Sequence, residues 1–448
     1  MGRLLSRMAK KPTTCSNRRT SHAHSYFTQF SEIMYISEPV RPRALQTATK
    51  AHLEYCRCAT DLRGRKDIGR AAASVLAAPD ASNMADCLRI SPWNTEAMRS
   101  AIRANQMEWV LAQAERLGAS KVIYINLDGS LGEKDKHTSH LEVVDWFHDH
   151  SESTRKQPRF KNGFCYLECT VRIGQVVVTV DLRLYLREKT VRRLNRHRPS
   201  EQHIPYRSKN SLVRRILEDL RPWLPEGWEV YVQFDSWYAS EKLIKYVRRQ
   251  GWQVTCGLKS NRKLNGVRID QLDHALRHKR YTHVHVTAAD GKPRTYYVRE
   301  ITGRLQKVPD DVRVFLSRRH PREKSPAYFM STALTRSAQQ ALQGYRGRWS
   351  CEVVNFYLKT QLGLADFRVR SYLAIDRYML VVLLAWTYVE RRYETERSPQ
   401  VKTYGDILLR HREEHAVDWL TGALDLMRQT GNLQLVLQHY LRLEPHTA

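Results

Sequence analysis

The sequence predicts a mixed α/β fold in which helical regions precede and follow a central sheet. Two long hydrophobic runs, 163–173 and 175–186, are separated by Gly174 and are typical of a β-hairpin. Two further β-rich runs, 121–128 and 228–235, each end in an aspartate, and helical periodicity follows the second of them. A hairpin followed by strands that alternate with helices indicates a mixed sheet covered by helices.

The composition indicates a polyanionic partner. The 448 residues are enough for two or three structural units, and 74 Lys and Arg against 46 Asp and Glu give a formal charge of +28. An enzyme of small metabolites has no need of this excess, whereas a protein that binds nucleic acid uses it to displace counterions from phosphates. Basic ribosomal proteins and membrane-surface proteins share such a charge, so it predicts a class of partner and no reaction.

Cysteine usage and hydropathy indicate the location of the protein. Eight cysteines without disulfide-like spacing indicate a reducing compartment, and we expect the protein to be cytoplasmic. The longest apolar run, 379–389, is too short to cross a bilayer and predicts a buried helix. We therefore expect no membrane partner.

The first 120 residues are predicted to be basic and helical. Residues 1–50 carry nine Lys and Arg against two Glu, which predicts a mobile basic arm. The region 51–120 could place a helix in a DNA groove, but a helical bundle with solvated basic residues explains the pattern equally well. Its predicted helices span 51–62, 66–76 and 81–88, and the segment 91–95 (Ser-Pro-Trp-Asn-Thr) caps a longer one that continues to about 112.

The rest of the chain divides by its hydrophobic periodicity. A β-rich insertion is predicted to interrupt a core whose second part is helical, and another helical region follows. The boundaries are 121–261 for the first part of the core, 262–333 for the insertion, 334–395 for the second part and 396–448 for the C-terminal region. Within the first part, helices are predicted at 211–220 and 240–250 and a further strand at 252–258.

One segment of the second part, 345–359, combines basic, acidic and phenolic groups. We expect it to form one helix, on which Tyr345, Arg348, Glu352 and Lys359 lie on roughly one face because they are offset by three, four and seven residues. An acid beside groups that can hold phosphate oxygens indicates a phosphate ester and a metal. An ordinary salt bridge between Arg348 and Glu352 on a solvated face is the alternative. The apolar stripe of this helix is predicted to consist of Trp349, Val353, Phe356 and Leu358.

Three carboxylates are candidates for a metal site. Asp128 and Asp235 each end a hydrophobic strand, and Glu352 lies in the helix after the insertion. A carboxylate at the end of a central strand is where α/β sheets present functional groups, and oxygen ligands suit Mg²⁺ or Mn²⁺. Three of them at one point could hold two ions about 3.5–4 Å apart, the arrangement that cleaves phosphodiesters. Each aspartate could instead be a helix cap or turn residue.

The pattern Tyr345-x2-Arg348-x3-Glu352-x6-Lys359 resembles the Tyr-Arg-Glu-Lys signature of DDE transposases of bacterial insertion sequences. The segment from Phe234 to Tyr238 looks like the second-aspartate block of that family, and 127–134 looks like its first. The resemblance covers about residues 120–390. Gly129 departs from it, because many relatives have a second aspartate after the first.

The resemblance implies a ribonuclease-H-like core with a β-rich insertion and an enzyme that cleaves DNA at transposon ends and transfers the strands to target DNA. It implies that Asp128, Asp235 and Glu352 are catalytic and bind two Mg²⁺ or Mn²⁺ ions. Tyr345, Arg348 and Lys359 would hold phosphates of transposon-end DNA. Further implications are a homodimer in the DNA complex, no small-molecule substrate and a place at the bacterial nucleoid. A metal-dependent nuclease that does not transpose, or a non-catalytic DNA-binding protein with the same fold, are alternatives.

Two further groups of residues are candidates for DNA contact. Trp237 could stack on a displaced base, although packing in the core is the stronger expectation for a tryptophan. The run 187–215 is strongly basic and could contact the DNA backbone, or it could be a solvated loop. Its candidate residues are Arg192, Arg193, Arg196 and Arg198. We interpret the sequence His148-Asp149-His150 as a surface segment, since no third ligand accompanies the histidines.

Overall fold

The computed structural model describes residues 81–149, 152–153, 157–287 and 292–441. The predicted basic arm, 1–50, and the predicted helices at 51–62 and 66–76 lie outside the described residues. All statements about structure below concern the described ranges.

Helices occupy both ends of the described chain, and strands dominate its middle. The helices are α1 (Ala81–Arg89), α2 (Thr95–Arg116), α3 (Glu188–Asn195), α4 (Lys209–Leu220), α5 (Glu241–Arg249), α6 (Ile269–Ala275), α7 (Ala338–Arg346), α8 (Trp349–Thr360), α9 (Tyr372–Glu396), α10 (Tyr404–Thr430) and α11 (Leu433–Leu441). The strands are β1 (Val122–Glu133), β2 (Asp145–His148), β3 (Phe160–Ile173), β4 (Val176–Tyr185), β5 (Glu229–Phe234), β6 (Gln253–Gly257), β7 (Lys263–Leu264), β8 (Val267–Arg268), β9 (Thr282–Thr287), β10 (Pro293–Arg304), β11 (Asp311–Arg318) and β12 (Ala327–Ser331).

Most of the strands belong to one sheet, so the predicted mixed α/β fold is confirmed. Its order is β2-β3-β1-β5-β6-β12-β11-β10-β9, and β4 also pairs with β3. The strands β4, β3 and β1 are antiparallel neighbours, whereas β1, β5 and β6 run parallel. Four strands of the predicted insertion, β9 to β12, form an antiparallel meander that joins the same sheet through β12 and β6, while β7 and β8 pair with each other. The insertion therefore extends the central sheet.

Alternation along β1 divides the core into two layers. Ile123, Ile125 and Leu127 are fully buried and belong to a cluster that includes side chains of α2, α4 and α5. Residues between them point to the opposite face, because successive side chains of a strand alternate. On that face α8 and α9 pack against β3 and β4. The apolar run 379–389 lies in α9, most of whose apolar length is buried within the protein, so the predicted buried helix is confirmed.

The first predicted strand is longer than expected. We expected it to end at Asp128, but β1 continues to Glu133 because its antiparallel pairing with β3 extends to Glu133 and Gly163. The parallel pairing with β5 does end at Leu127 and Phe234. Asp128 thus lies at the point where β1 loses one neighbour and keeps the other.

The single helix expected over 345–359 is broken. The structure ends α7 at Arg346 and begins α8 at Trp349, so Tyr345 lies on a different helix from Glu352. Arg172 of β3 packs against the break: its Nη2 donates to the Gly344 carbonyl at 3.1 Å, and a Cβ at Gly347 would overlap its guanidinium. Glycine at 347 is what lets this arginine approach the junction.

The predicted apolar stripe of this segment is also wrong at two positions. Trp349 is 62% exposed and Phe356 is 55% exposed. The face that packs against the sheet contains Leu358, as predicted, together with Cys351 and Val354. The hydrophobic residues of α8 therefore do not all lie on one side, and the face that carries Glu352 also presents two aromatic rings to solvent.

Candidate active site

Asp128 and Asp235 lie side by side on neighbouring parallel strands. Leu127 of β1 is paired with Phe234 of β5, and the two aspartates are the next residue on each strand. Adjacent strands are about 4.8 Å apart, so the two backbones bring these carboxylates close together. Leu127 and Phe234 point into the core beneath the sheet, and both aspartates therefore point to the opposite side, where α8 lies.

Local hydrogen bonds orient both aspartates. The Gly129 amide donates to Asp128 Oδ1 at 2.9 Å. Asp235 Oδ1 accepts from the amides of Trp237 at 3.0 Å and Tyr238 at 3.3 Å. Asp235 thus fulfils the turn role that we considered as an alternative. Its second carboxylate oxygen makes no such turn contact.

Arg348 links Asp128 to the third carboxylate. Its Nη1 lies 3.3 Å from Asp128 Oδ2, and its Nη2 lies 3.7 Å from Glu352 Oε1. The salt bridge between Arg348 and Glu352 considered above does form, but the same guanidinium also reaches across to β1. Glu352 lies in the first turn of α8, where the helix dipole favours a negative charge.

The pKa of Asp128 is raised by burial and by the two neighbouring carboxylates. Burial raises it to about 6, Arg348 opposes the increase, and the charges of Glu352 and Asp235 add to it. The three carboxylates therefore interact, and the positive charge present compensates them only in part.

A cation would complete this compensation. Carboxylate oxygens are the ligands that Mg²⁺ and Mn²⁺ prefer, so the donor set fits such an ion. In this structure the positive charge between Asp128 and Glu352 is the Arg348 guanidinium. Within residues 81–149, 152–153, 157–287 and 292–441, however, no three Asp, Glu, His or Cys side chains are close enough together to hold a metal ion. Binding would therefore require Arg348 and the carboxylates to rearrange.

Lys359 reaches the same strand from the last turn of α8. Its Nζ donates to Ser130 Oγ at 2.7 Å, two residues beyond Asp128. Burial lowers the pKa of Lys359 from its usual value. The structure thus brings Arg348, Glu352 and Lys359 to the same face of β1, whereas the spacing predicted that they share one helix face with Tyr345.

Tyr345 approaches from the end of α7. Its ring stacks on Phe329 at 5.3 Å, and Phe329 stacks on Phe315 at 4.7 Å, so one face of the tyrosine is already covered. Its hydroxyl lies against Gly257, at the end of the strand next to Asp235. Burial raises the pKa of Tyr345 to about 12, so its hydroxyl is neutral at physiological pH.

Trp237 is not a core residue. It is 43% exposed, it packs edge-on against Tyr238 with ring centroids 4.8 Å apart, and Lys209 Nζ lies 5.0 Å from its ring. The expectation of core packing is therefore wrong. An exposed aromatic ring and a lysine lie next to Asp235.

The arginines of the basic run differ in their surroundings. Arg192 is paired with Glu188 at 2.6 Å, and Arg193 and Arg196 are exposed. Arg198 is mostly buried and pairs at 2.5 Å with Glu142, whose carboxylate also accepts from the Tyr372 amide. The basic run therefore contains both surface charges and an internal ion pair. Of the predicted surface segment at 148–150, residue 150 lies outside the described residues, and Asp149 pairs with Lys161 at 2.9 Å.

The sequence reasoning missed one residue beside Asp128 and did not foresee the contact that a second one makes there. Glu168 lies opposite Asp128 in the β1–β3 ladder and is fully buried. Tyr238 is buried, and its hydroxyl occupies the space that a Cβ at Gly129 would need. A glutamate within the hydrophobic run 163–173 was the signal that could have identified the first of them.

Comparison with known proteins gives a family for part of the chain. Residues 204–388 match the transposase DDE domain family, and this range contains Asp235 and Glu352 but not Asp128. The match supports a DDE transposase. None of the curated proteins matches the chain. Among solved structures, the synaptic complex of piggyBac transposase with hairpin DNA is similar at 10% identity and a TM-score of 0.40, covering 90% of this chain and 77% of that one.

Proposed function

We propose that this protein is a DDE transposase of the bacterial insertion-sequence group with the Tyr-Arg-Glu-Lys signature, and that it cleaves DNA at transposon ends and joins the freed ends to target DNA. The observation that carries the proposal is the link from Asp128 to Glu352 through Arg348, beside the neighbouring Asp235. Two of these three carboxylates lie in the segment that matches the transposase DDE domain.

The topology supports a ribonuclease-H-like core in this proposal. The sheet section β4-β3-β1-β5-β6 contains an antiparallel hairpin, a central strand and two further strands parallel to it. Asp128 lies on the central strand and Asp235 directly follows its parallel neighbour. We divide the chain accordingly into core segments 121–261 and 334–395, the insertion 262–333, a DNA-binding region 51–120 and a C-terminal region 396–448.

The carboxylates take the role of metal ligands. Asp128, Asp235 and Glu352 would hold one or two Mg²⁺ or Mn²⁺ ions, which when bound activate the attacking oxygen and stabilise the leaving one. The raised pKa of Asp128 supports this role, since its charge is only partly compensated by Arg348. Ionised carboxylates that are short of positive charge gain the most from a divalent cation.

Two basic groups hold the DNA: Arg348, which directly precedes α8, and Lys359 in its last turn. A guanidinium binds a phosphate through two parallel hydrogen bonds, so the arriving phosphodiester attracts Arg348 away from Asp128 and Glu352. Lys359 binds a second phosphate oxygen near Ser130. Tyr345 carries a neutral hydroxyl beside the Asp235 turn, where it can donate a hydrogen bond to the DNA. The protein's own groups thus position the scissile phosphate over the carboxylates.

Exposed groups outside the site extend the DNA surface. Trp237 and Lys209 lie beside Asp235 and could contact an unpaired base and its phosphate. Arg192, Arg193 and Arg196 contribute sequence-independent contacts to the backbone. Because two transposon ends must be joined to one target, we propose that the protein acts as a homodimer on DNA, in the bacterial cytoplasm at the nucleoid.

The test is a cleavage and joining assay. The protein is incubated with a labelled duplex carrying the terminal repeats of its element and a second, target duplex, with Mg²⁺ or with a chelator. We expect nicking at the end and joining to the target only with the metal, and a loss of at least about 10³-fold in Asp235→Asn. The control is Asp425→Asn, which removes a largely exposed carboxylate of α10 that pairs with Arg428.

The alternatives give other results. Cleavage without joining would contradict transposition and favour a nuclease. Binding without cleavage in Mg²⁺ or Mn²⁺ would contradict both enzymatic functions and favour a DNA-binding protein. Equal activity of Asp235→Asn and the parent would remove Asp235 from the site.

A further inference from the structure

A glutamate beside the candidate site is buried with almost no hydrogen-bond donors around it in the described part of the chain. Glu168 of β3 is fully buried, and among the described residues the only donor next to its carboxylate oxygens is the thiol of Cys351, a weak one. Burying a carboxyl group without partners is unfavourable, so proteins rarely retain one. The arrangement calls for an explanation in terms of a ligand or a function.

The position of Glu168 relates it to Asp128. The two residues are direct partners in the antiparallel pairing of β1 and β3. Directly opposite side chains point to the same face, with Cβ atoms about 4.5–5.5 Å apart. Burial raises the pKa of Glu168 well above its usual range, and the charge of Asp128 adds to the increase. The thiol of Cys351, the residue before Glu352 on α8, is within hydrogen-bonding reach of Glu168.

A second buried glutamate shows that the same fold can satisfy such a group. Glu390 of α9 is also fully buried, and its carboxylate accepts from the Thr179 amide at 2.9 Å and from the Thr179 hydroxyl at 2.7 Å. Trp386 Nε1 donates to it at 2.6 Å and Gln106 Nε2 at 2.9 Å. Glu390 thus has the hydrogen bonds that Glu168 lacks, although both side chains lie between the same face of the sheet and the helices that cover it.

We propose that Glu168 is a fourth carboxylate of the metal site, which contributes an oxygen to the divalent cation held by Asp128. This proposal rests on the proposed function, because that function supplies the cation. A cation beside Asp128 would provide the positive charge and the contact that the Glu168 carboxyl lacks. The metal site would then contain, besides the three carboxylates of the family signature, a fourth one from β3, a strand that the signature does not include.

The experiment measures Mn²⁺ binding by the full chain, alone and with a terminal-repeat duplex whose own Mn²⁺ uptake is subtracted, through the loss of the free-ion signal in electron paramagnetic resonance. We expect Glu168→Gln, which keeps the shape and removes the charge, to weaken Mn²⁺ binding at least about tenfold. The matched control is Glu390→Gln, which we expect to leave the affinity within about twofold of the parent, because Glu390 already has its partners. Thermal unfolding without metal checks that each variant is folded.

A second variant, Glu168→Leu, tests the proposal if Glu168→Gln does not fold. Glu168→Leu removes the buried polar group altogether, so it should fold at least as well as the parent and bind Mn²⁺ equally weakly. Parental affinity in either folded variant would overturn the proposal, as would failure of the parent to bind Mn²⁺ at all. The proposed function fails by a different result, in which the parent binds Mn²⁺ but does not cleave DNA.

Discussion

Two groups of buried charges on the same sheet are compensated to very different degrees. Asp181 of β4 is fully buried and pairs with Arg99 at 3.2 Å, Arg103 at 2.7 Å and Arg183 at 3.0 Å. Burial acts to raise its pKa, but the three arginines outweigh burial and hold the pKa well below its usual range. Asp128 of β1 has one arginine, Arg348 at 3.3 Å, and its pKa is raised to about 6.

The difference separates a structural cluster from a candidate site. Arg99 also binds Asp376 at 2.8 Å, so the Asp181 cluster joins α2 and α9 to the sheet through arginines that are already paired. At Asp128, burial and the neighbouring carboxylates leave a deficit of positive charge that a ligand can fill. Groups with raised pKa values that are held close together are typical of functional sites.

The largest effect is expected from breaking the compensated cluster. Asp181→Asn leaves three buried arginines without their shared carboxylate, and we expect it to lower the free energy of unfolding by about 3–5 kcal/mol. Chemical denaturation at pH 8 measures the change. A loss of less than about 1 kcal/mol would show that the arginines find other partners and that the cluster is not what fastens α2.

A smaller effect of opposite sign is expected at the site. The pKa of Asp128 is about 6 in the folded protein, whereas the ordinary value for an aspartate is 3.8. The folded protein therefore holds this proton more tightly than the unfolded chain does, and ionisation of Asp128 above pH 6 opposes folding. Asp128→Asn should therefore raise the free energy of unfolding by about 1–3 kcal/mol at pH 8, and the gain should disappear as the pH falls from 6 to 4. Metal-free unfolding curves across this pH range measure it, with Asp425→Asn as the control. A loss of stability at pH 8 would contradict the contrast between the two groups.

The smallest effects are expected at the basic run. Arg192 is 76% exposed, so Arg192→Gln should change stability by less than about 0.5 kcal/mol, while lowering the slope of log DNA affinity against log salt by about one. Arg198→Gln should have the opposite pattern. It should lower the free energy of unfolding by about 1 kcal/mol through loss of the Glu142 pair, and it should leave the salt dependence of DNA affinity unchanged. DNA titrations at several salt concentrations distinguish them. Equal slopes in both variants would show that exposure does not separate the two roles.

Residues with a local signature could be predicted from the sequence. Asp235 follows a hydrophobic strand and precedes a helix, and Glu352 is part of a spaced pattern, so both needed only their neighbours in the chain. The start of α2 could also be predicted, since the side chain of Asn94 accepts from the Ala97 amide as an N-cap. Local patterns thus accounted for these three positions.

Features that depend on distant residues could not be predicted. The break at Gly347 is in contact with Arg172, which precedes it by a whole insertion. The exposure of Trp349 and Phe356 depends on the way in which α8 lies on the sheet, and its hydrophobic pattern alone favoured another face. The isolation of Glu168 is a property of β1, β3 and α8 together, and no single segment contains it.

The close approach of Tyr238 to Gly129 has a consequence for how this chain can change over evolutionary time. The buried hydroxyl occupies the volume that any side chain at 129 would need. An aspartate at 129 therefore requires the Tyr238 hydroxyl to move, and we expect it to be tolerated better when residue 238 is smaller. The effects of substitutions at the two positions should accordingly depend on each other.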